Sequence, residues 1–157
     1  MSNKHVARKI PTFSKEQIER MFAVCDLTTR EGQRNYTIIL LLLETGIRVS
    51  ELCNLHIGDI QAAALHVVGK GNQEHHIEIT PAVSEQLMLY MSHYHGSTMN
   101  GALYVFVDSD DQPLTPGDVS HIVSNIKKRA GVTGVGFSVH TFRHTFASLR
   151  HTLRHKD

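Results

Sequence analysis

Four basic residues from three separated stretches, Arg48, Lys70, His140 and Arg143, are of the types that hold and protonate phosphates. Two guanidiniums can grip the non-bridging oxygens of a phosphodiester with paired hydrogen bonds, while lysine and histidine move protons as its charge changes. His140, Arg143 and His144 are three and four residues apart, so a helix would present them on one face. Arg48 follows Gly46 and precedes Ser50 and Glu51, and Lys70 stands between Gly69 and Gly71. Taken singly, each has an ordinary explanation: Arg48 as a local cap or an ion pair with Glu51, Lys70 as a solvated turn lysine. The sequence offers no paired carboxylates, cysteine ligand set or P-loop beside them.

The elements that must position these residues are legible from local pattern. Met1 to Pro11 reads as a linker or lead-in. Ser14-Lys15-Glu16-Gln17 is a capping-box pattern, followed by Ile18, Met21, Phe22 and Cys25 at helical spacing. A polar break from Asp26 to Gln33 leads into the apolar run Ile38 to Leu43, a buried helix that Gly46 can end in a left-handed conformation. A short helix over Ser50 to Asn54 comes next, and Arg48 therefore sits on the corner between two helices. The pattern then turns strand-like over Ile57 to Ile60, Leu65 to Val68 and His75 to Ile79, with Gly69-Lys70-Gly71-Asn72 as a tight turn between the last two. Thr80-Pro81 and Thr115-Pro116 open two more helices, each with an N-cap threonine and proline in the first turn. The first has Val83, Leu87, Tyr90 and Met91 as its buried stripe; Leu103 to Val107 is an extended piece between the two. After glycines at 131, 134 and 136, Ser138 can cap a final helix that carries Phe142, Phe146 and Leu149 on its buried side. The expected class is α+β, mostly helical, with a small three-stranded antiparallel sheet.

Composition sets outer limits. A chain of 157 residues, 41% hydrophobic and 20% charged, suits one folded unit with a real core. Its formal net charge is only +1, so composition permits a nucleic-acid partner without arguing for one, although Lys127 to Arg129 and the segment from Arg143 to Lys156 concentrate positive charge. No apolar run reaches membrane-spanning length and the polar N-terminus is not a signal peptide, which makes cytoplasm the expected compartment. Cys25 and Cys53 are expected as reduced, buried thiols. The pairs His140/His144 and His151/His155 have zinc-compatible spacing, but they lack a metalloprotease glutamate or a nearby cysteine, so no metal or other cofactor is expected.

Three motifs occur in order: Thr45-Gly46-Ile47-Arg48-Val49-Ser50-Glu51-Leu52, Gly69-Lys70-Gly71-Asn72, and His140-Thr141-Phe142-Arg143-His144-Thr145-Phe146-Ala147. Together they resemble the C-terminal catalytic domain of the tyrosine recombinase (phage integrase) family, whose fold would cover about 12–149 and leave 150–157 as a tail. The resemblance implies site-specific DNA cutting and rejoining through a phosphotyrosine, as in the integration of phages or mobile elements. Double-stranded DNA and other recombinase subunits would be the partners, with no membrane and no small-molecule cofactor. It further implies that Arg48 and Arg143 clamp the scissile phosphate, that His140 hydrogen-bonds it and assists proton transfer from the nucleophile, and that Lys70 protonates the departing 5′ hydroxyl. Glu51 and His144 would support them, and the arginines would supply the charge that other nucleases take from metal ions. The family's nucleophilic tyrosine follows its H-x-x-R motif, whereas Tyr36, Tyr90, Tyr94 and Tyr104 all precede it here. No nucleophile is therefore assigned, and the chain as given is expected not to cleave DNA alone. The alternative expectation is a non-catalytic DNA-binding remnant or module. An unrelated helical protein would scatter Arg48, Lys70, His140 and Arg143 over different faces.

Overall fold

Ser14 begins the fold in the manner its capping box requires. Its hydroxyl accepts from the Gln17 N–H, and the Gln17 side chain accepts from the Ser14 N–H at 2.8 Å. The computed structural model describes residues 12–95, 104–133, 141–142 and 145–146. Helix α1 spans Lys15–Ala23, α2 Arg30–Thr45 and α3 Val49–Cys53; strands β1 and β2 cover Ala64–Val68 and Glu74–Glu78; α4 is Pro81–Leu89 and α5 is Pro116–Arg129. A π-helical turn, Tyr90–Tyr94, continues α4.

The core forms around α2, whose Ile38, Ile39, Leu41, Leu42 and Leu43 are all buried. It receives Val83, Leu87 and Tyr90 from α4 and its π-turn, and Val119, Val123 and Ile126 from α5. Helix α2 starts earlier than the polar composition of 26–33 indicates. Thr29 caps it by accepting from the Gly32 N–H, and Gln33 is buried in its first turns, where its carbonyl oxygen accepts from Gln86 of α4 at 2.8 Å. The polarity there serves a partly buried hydrogen bond between helices rather than a loop.

Among the described residues the sheet has two strands, not three. Strands β1 and β2 pair antiparallel with Leu65 opposite Ile77 and His66 opposite His76. The expected first strand, Ile57 to Ile60, is instead a 3-10 turn over Ile57–Asp59, and Ile60 makes only a single bridge to Leu65. The cause is local: the Asp59 carboxylate accepts the His56 N–H at 2.9 Å and closes the turn before a strand can extend.

Of the expected final helix, residues 141, 142, 145 and 146 are described, and all four are helical. Phe142 is fully buried against Phe13, with ring centroids 4.7 Å apart, and Thr145 Oγ1 accepts the Phe13 N–H at 2.9 Å. Phe146 covers Gly46. The proposed cap Ser138, the lead-in 1–11 and the tail 150–157 lie outside the described residues.

Candidate functional site

The apolar helix α2 ends because Gly46 adopts φ 68° and ψ 16°, a left-handed conformation that costs little without a Cβ. Ile47 then drops into the core, and Arg48 stands exposed as the residue before α3. Glu51, one turn into α3, folds back so that Oε1 accepts the Arg48 N–H at 3.0 Å. The carboxylate is buried, and its other oxygen, Oε2, lies 2.9 Å from Nε2 of His75 on β2. A carboxylate oxygen accepts, so the His75 ring donates.

Lys70 reaches the same place from the hairpin. The β1–β2 connection is closed by the Gly69 N–H donating to the Gln73 carbonyl at 2.7 Å, and Gly71 and Asn72 take left-handed φ of 73° and 61°. Gly69 passes close to Glu51: a Cβ there would lie 3.2 Å from Oε2. The α3 corner and the hairpin thus enclose an open cavity of about 500 Å³ whose lining includes Arg48, Ser50, Glu51, Lys70, Gln73 and His75. Arg48 and Lys70 bring positive charge to its walls. Glu51, the one carboxylate among the described lining residues, is already engaged by the Arg48 N–H and by His75. An anion with several oxygens is the ligand such a lining accepts.

The hairpin is anchored on its other side by histidine. His66 of β1 bridges Asp59, at 3.0 Å from Nδ1, and Glu74, at 2.7 Å from Nε2. Its bonds to Asp59 and Glu74 hold the imidazole pKa above its ordinary 6.5, against a smaller opposing effect of burial. Burial works to raise the Asp59 carboxyl, but the His56 N–H and the His66 bond and charge outweigh it, leaving the pKa below 3.8.

Arg48 and Glu51 of the α3 corner and Lys70 of the hairpin therefore line one cavity. His140, Arg143 and His144 lie outside the described residues; their described neighbours Phe142 and Phe146 pack on Phe13 and Gly46. His75 belongs to the lining and was not singled out from the sequence. Its signal lay in the hairpin register, which sets it two residues beyond the Gln73 that closes the loop. Another cavity, of about 200 Å³, has Arg30 and Arg34 in its wall, but Glu31 and Asp108 line it too, Arg30 is paired with Asp111 at 2.8 Å and Arg34 donates to the Val107 carbonyl. No tyrosine is among the described residues that line the cavity at Arg48. Tyr90 is fully buried, and burial pushes its hydroxyl up to about 12. No helix among the described residues is long and apolar enough to cross a membrane.

Comparison with known proteins adds an independent line. The phage integrase family model matches residues 11–155. The tyrosine recombinase XerC of Anoxybacillus flavithermus is 36% identical over 148 residues, covering 90% of this chain and 49% of that protein. XerC of Bacillus subtilis is 31% identical over 148 residues, with 90% and 48% covered. The chain thus spans about half the length of these relatives. Among solved structures, XerA recombinase superposes with a TM-score of 0.77 at 24% identity, covering 95% of this chain and 53% of that one. The XerH site-specific recombinase, solved bound to a palindromic difH substrate, gives 0.75 at 23% identity, with 94% and 44% covered. These structural likenesses show the fold. With the family model spanning nearly the whole sequence, the chain belongs to the phage integrase family of tyrosine recombinases.

Proposed function

We propose that this chain supplies the phosphate-binding part of a site-specific DNA recombinase acting on double-stranded DNA in the cytoplasm, alongside other recombinase subunits. The observation that carries the reading is the convergence of Arg48 and Lys70 on one cavity above the engaged carboxylate of Glu51. In this reading Arg48 and Arg143 hold the non-bridging oxygens of the scissile phosphate, and His140 hydrogen-bonds the same group with His144 in support. A tyrosine hydroxyl passes its proton to His140 as its oxygen attacks phosphorus, the bond to the 5′ oxygen breaks, and Lys70 gives that oxygen a proton. The result is a 3′-phosphotyrosine and a free 5′ hydroxyl; the reverse sequence rejoins the strand. The guanidiniums stabilise the added negative charge of the transition state.

A second reading, a DNA-binding module without cleavage of its own, is favoured by one observation. All four tyrosines of this chain are described, and none lines the cavity. Both readings require duplex DNA to bind through phosphates. Titration of the chain with a fluorescent duplex at several salt concentrations tests this: affinity falls steeply with salt, and Arg48→Ala or Lys70→Ala lowers the slope by about 0.9 per lost phosphate contact. Salt-independent binding would reject both readings. Incubation with a nicked duplex checks the nucleophile: no covalent protein–DNA adduct is expected from this chain alone, and one mapped to any of these tyrosines would overturn that expectation and exclude the non-cleaving module.

A further inference from the structure

We propose that His75 is a positioning residue for Lys70: by donating to the buried carboxylate of Glu51, it fixes the β1–β2 hairpin against the Arg48 corner. The inference deepens the recombinase reading and rests on it for the role of Lys70.

Glu51 sits at the junction of the two halves of the cavity. It belongs to α3, and its Oε1 is committed to the Arg48 N–H within the same turn. Oε2 faces the hairpin, where it meets the His75 ring at 2.9 Å and lies 3.2 Å from where a Cβ on Gly69 would stand. These two hairpin residues bracket Lys70, one immediately before it and the other five residues after. The Glu51 side chain is 6% exposed, so its second oxygen has little access to water and depends on a donor from the protein. His75, at 51%, reaches in from the solvent side and also forms part of the cavity wall. The turn itself is held across its mouth by the Gly69–Gln73 bond. His66 anchors β1 on the far side to Asp59. On the cavity side the bond from His75 ties β2 to the helix that begins at Arg48. Without it, the hairpin tip retains its own turn but loses its registration against Arg48, and the lysine ammonium samples positions away from a phosphate held there.

A glutamine tests this with little change of shape, because its amide nitrogen can occupy the place of Nε2 and donate to Glu51 without an imidazole. Two measurements on the 157-residue chain decide the matter. Amide hydrogen exchange is read at Gly69 through Gln73 in His75→Ala and His75→Gln. The alanine variant is expected to speed exchange there about tenfold, with α2 and α5 unaffected, and the glutamine variant to stay near wild type. Duplex binding is then measured for His75→Ala, Lys70→Ala and the double variant. If His75 acts through Lys70, each single change weakens binding and the double variant is no weaker than Lys70→Ala.

Unchanged exchange in His75→Ala would overturn the proposal, as would fully additive losses in the double variant or failure of glutamine to restore protection. Should the wild-type chain not bind duplex DNA, the recombinase reading falls, and with it the role assigned to Lys70; the exchange data would still decide whether His75 holds the hairpin.

Discussion

Gly46 lies directly beneath the ring of Phe146: a Cβ at Gly46 would stand 2.5 Å from Cδ2. The residue that ends α2 and aims the chain toward Arg48 is thus in contact with the motif that begins at His140. Gly46→Ala combines a left-handed φ with a collision against an aromatic ring, so it should destabilise the fold by about 2–4 kcal/mol, read by chemical denaturation. Adding Phe146→Leu should recover part of that loss. A neutral Gly46→Ala would mean that the two motifs do not press on one another.

Glu51 ties the Arg48 N–H and His75 together from a buried position. Glu51→Ala removes both acceptors and should cost about 1.5–3 kcal/mol in equilibrium unfolding, while Glu51→Gln keeps one carbonyl oxygen and should cost less. Equal stability of both variants and the wild type would remove the carboxylate's structural role.

The Asp59–His66 pair gives the hairpin a pH dependence of definite sign. The His66 pKa is raised on folding, so its contribution is complete below about 6.5 and disappears as pH rises through the higher folded value. Asp59 is lowered, so its contribution is complete above about 3.8 and disappears as pH falls through the lower folded value. Protection of the β1–β2 amides should therefore be greatest in the mildly acid window between the two and decline toward alkaline pH. His66→Gln should abolish the alkaline decline; an identical profile in that variant would contradict the assignment.

Cys25 and Cys53 are buried, and burial pushes both thiols up to about 11. Thiolate, the reactive form, is scarce at neutral pH. Both should resist a disulfide reagent at pH 8 in the native state and react at once after unfolding, as followed by release of the chromophore. Rapid labelling of native protein would place the thiols elsewhere.

How far the sequence carried depended on whether the decisive interaction was local. The caps at Ser14, Thr80 and Thr115 bond within three residues of themselves, so their helices could be read directly. The corner at Gly46 followed from the glycine after an apolar run. Ile57 to Ile60 was misread because apolar pattern cannot distinguish a strand from a turn that Asp59 closes through its own side chain. The polar stretch before Ile38 was assigned to a break because Gln33 owes its burial to Gln86, 53 residues away. Arg48, Lys70 and Glu51, which line one cavity, were singled out through motif order, since each alone is commonplace. His75 was not, for its meaning depends on a bond to a carboxylate 24 residues earlier.

The most direct measurement of the central claim is an NMR titration of the isotope-labelled chain with a short DNA duplex. If the cavity between the α3 corner and the hairpin is the phosphate site, the largest amide shifts should fall on residues 46–51 and 69–75 and vanish in Arg48→Ala. Shifts centred elsewhere, for instance around Arg30 and Arg34, with these two segments unmoved, would contradict the account.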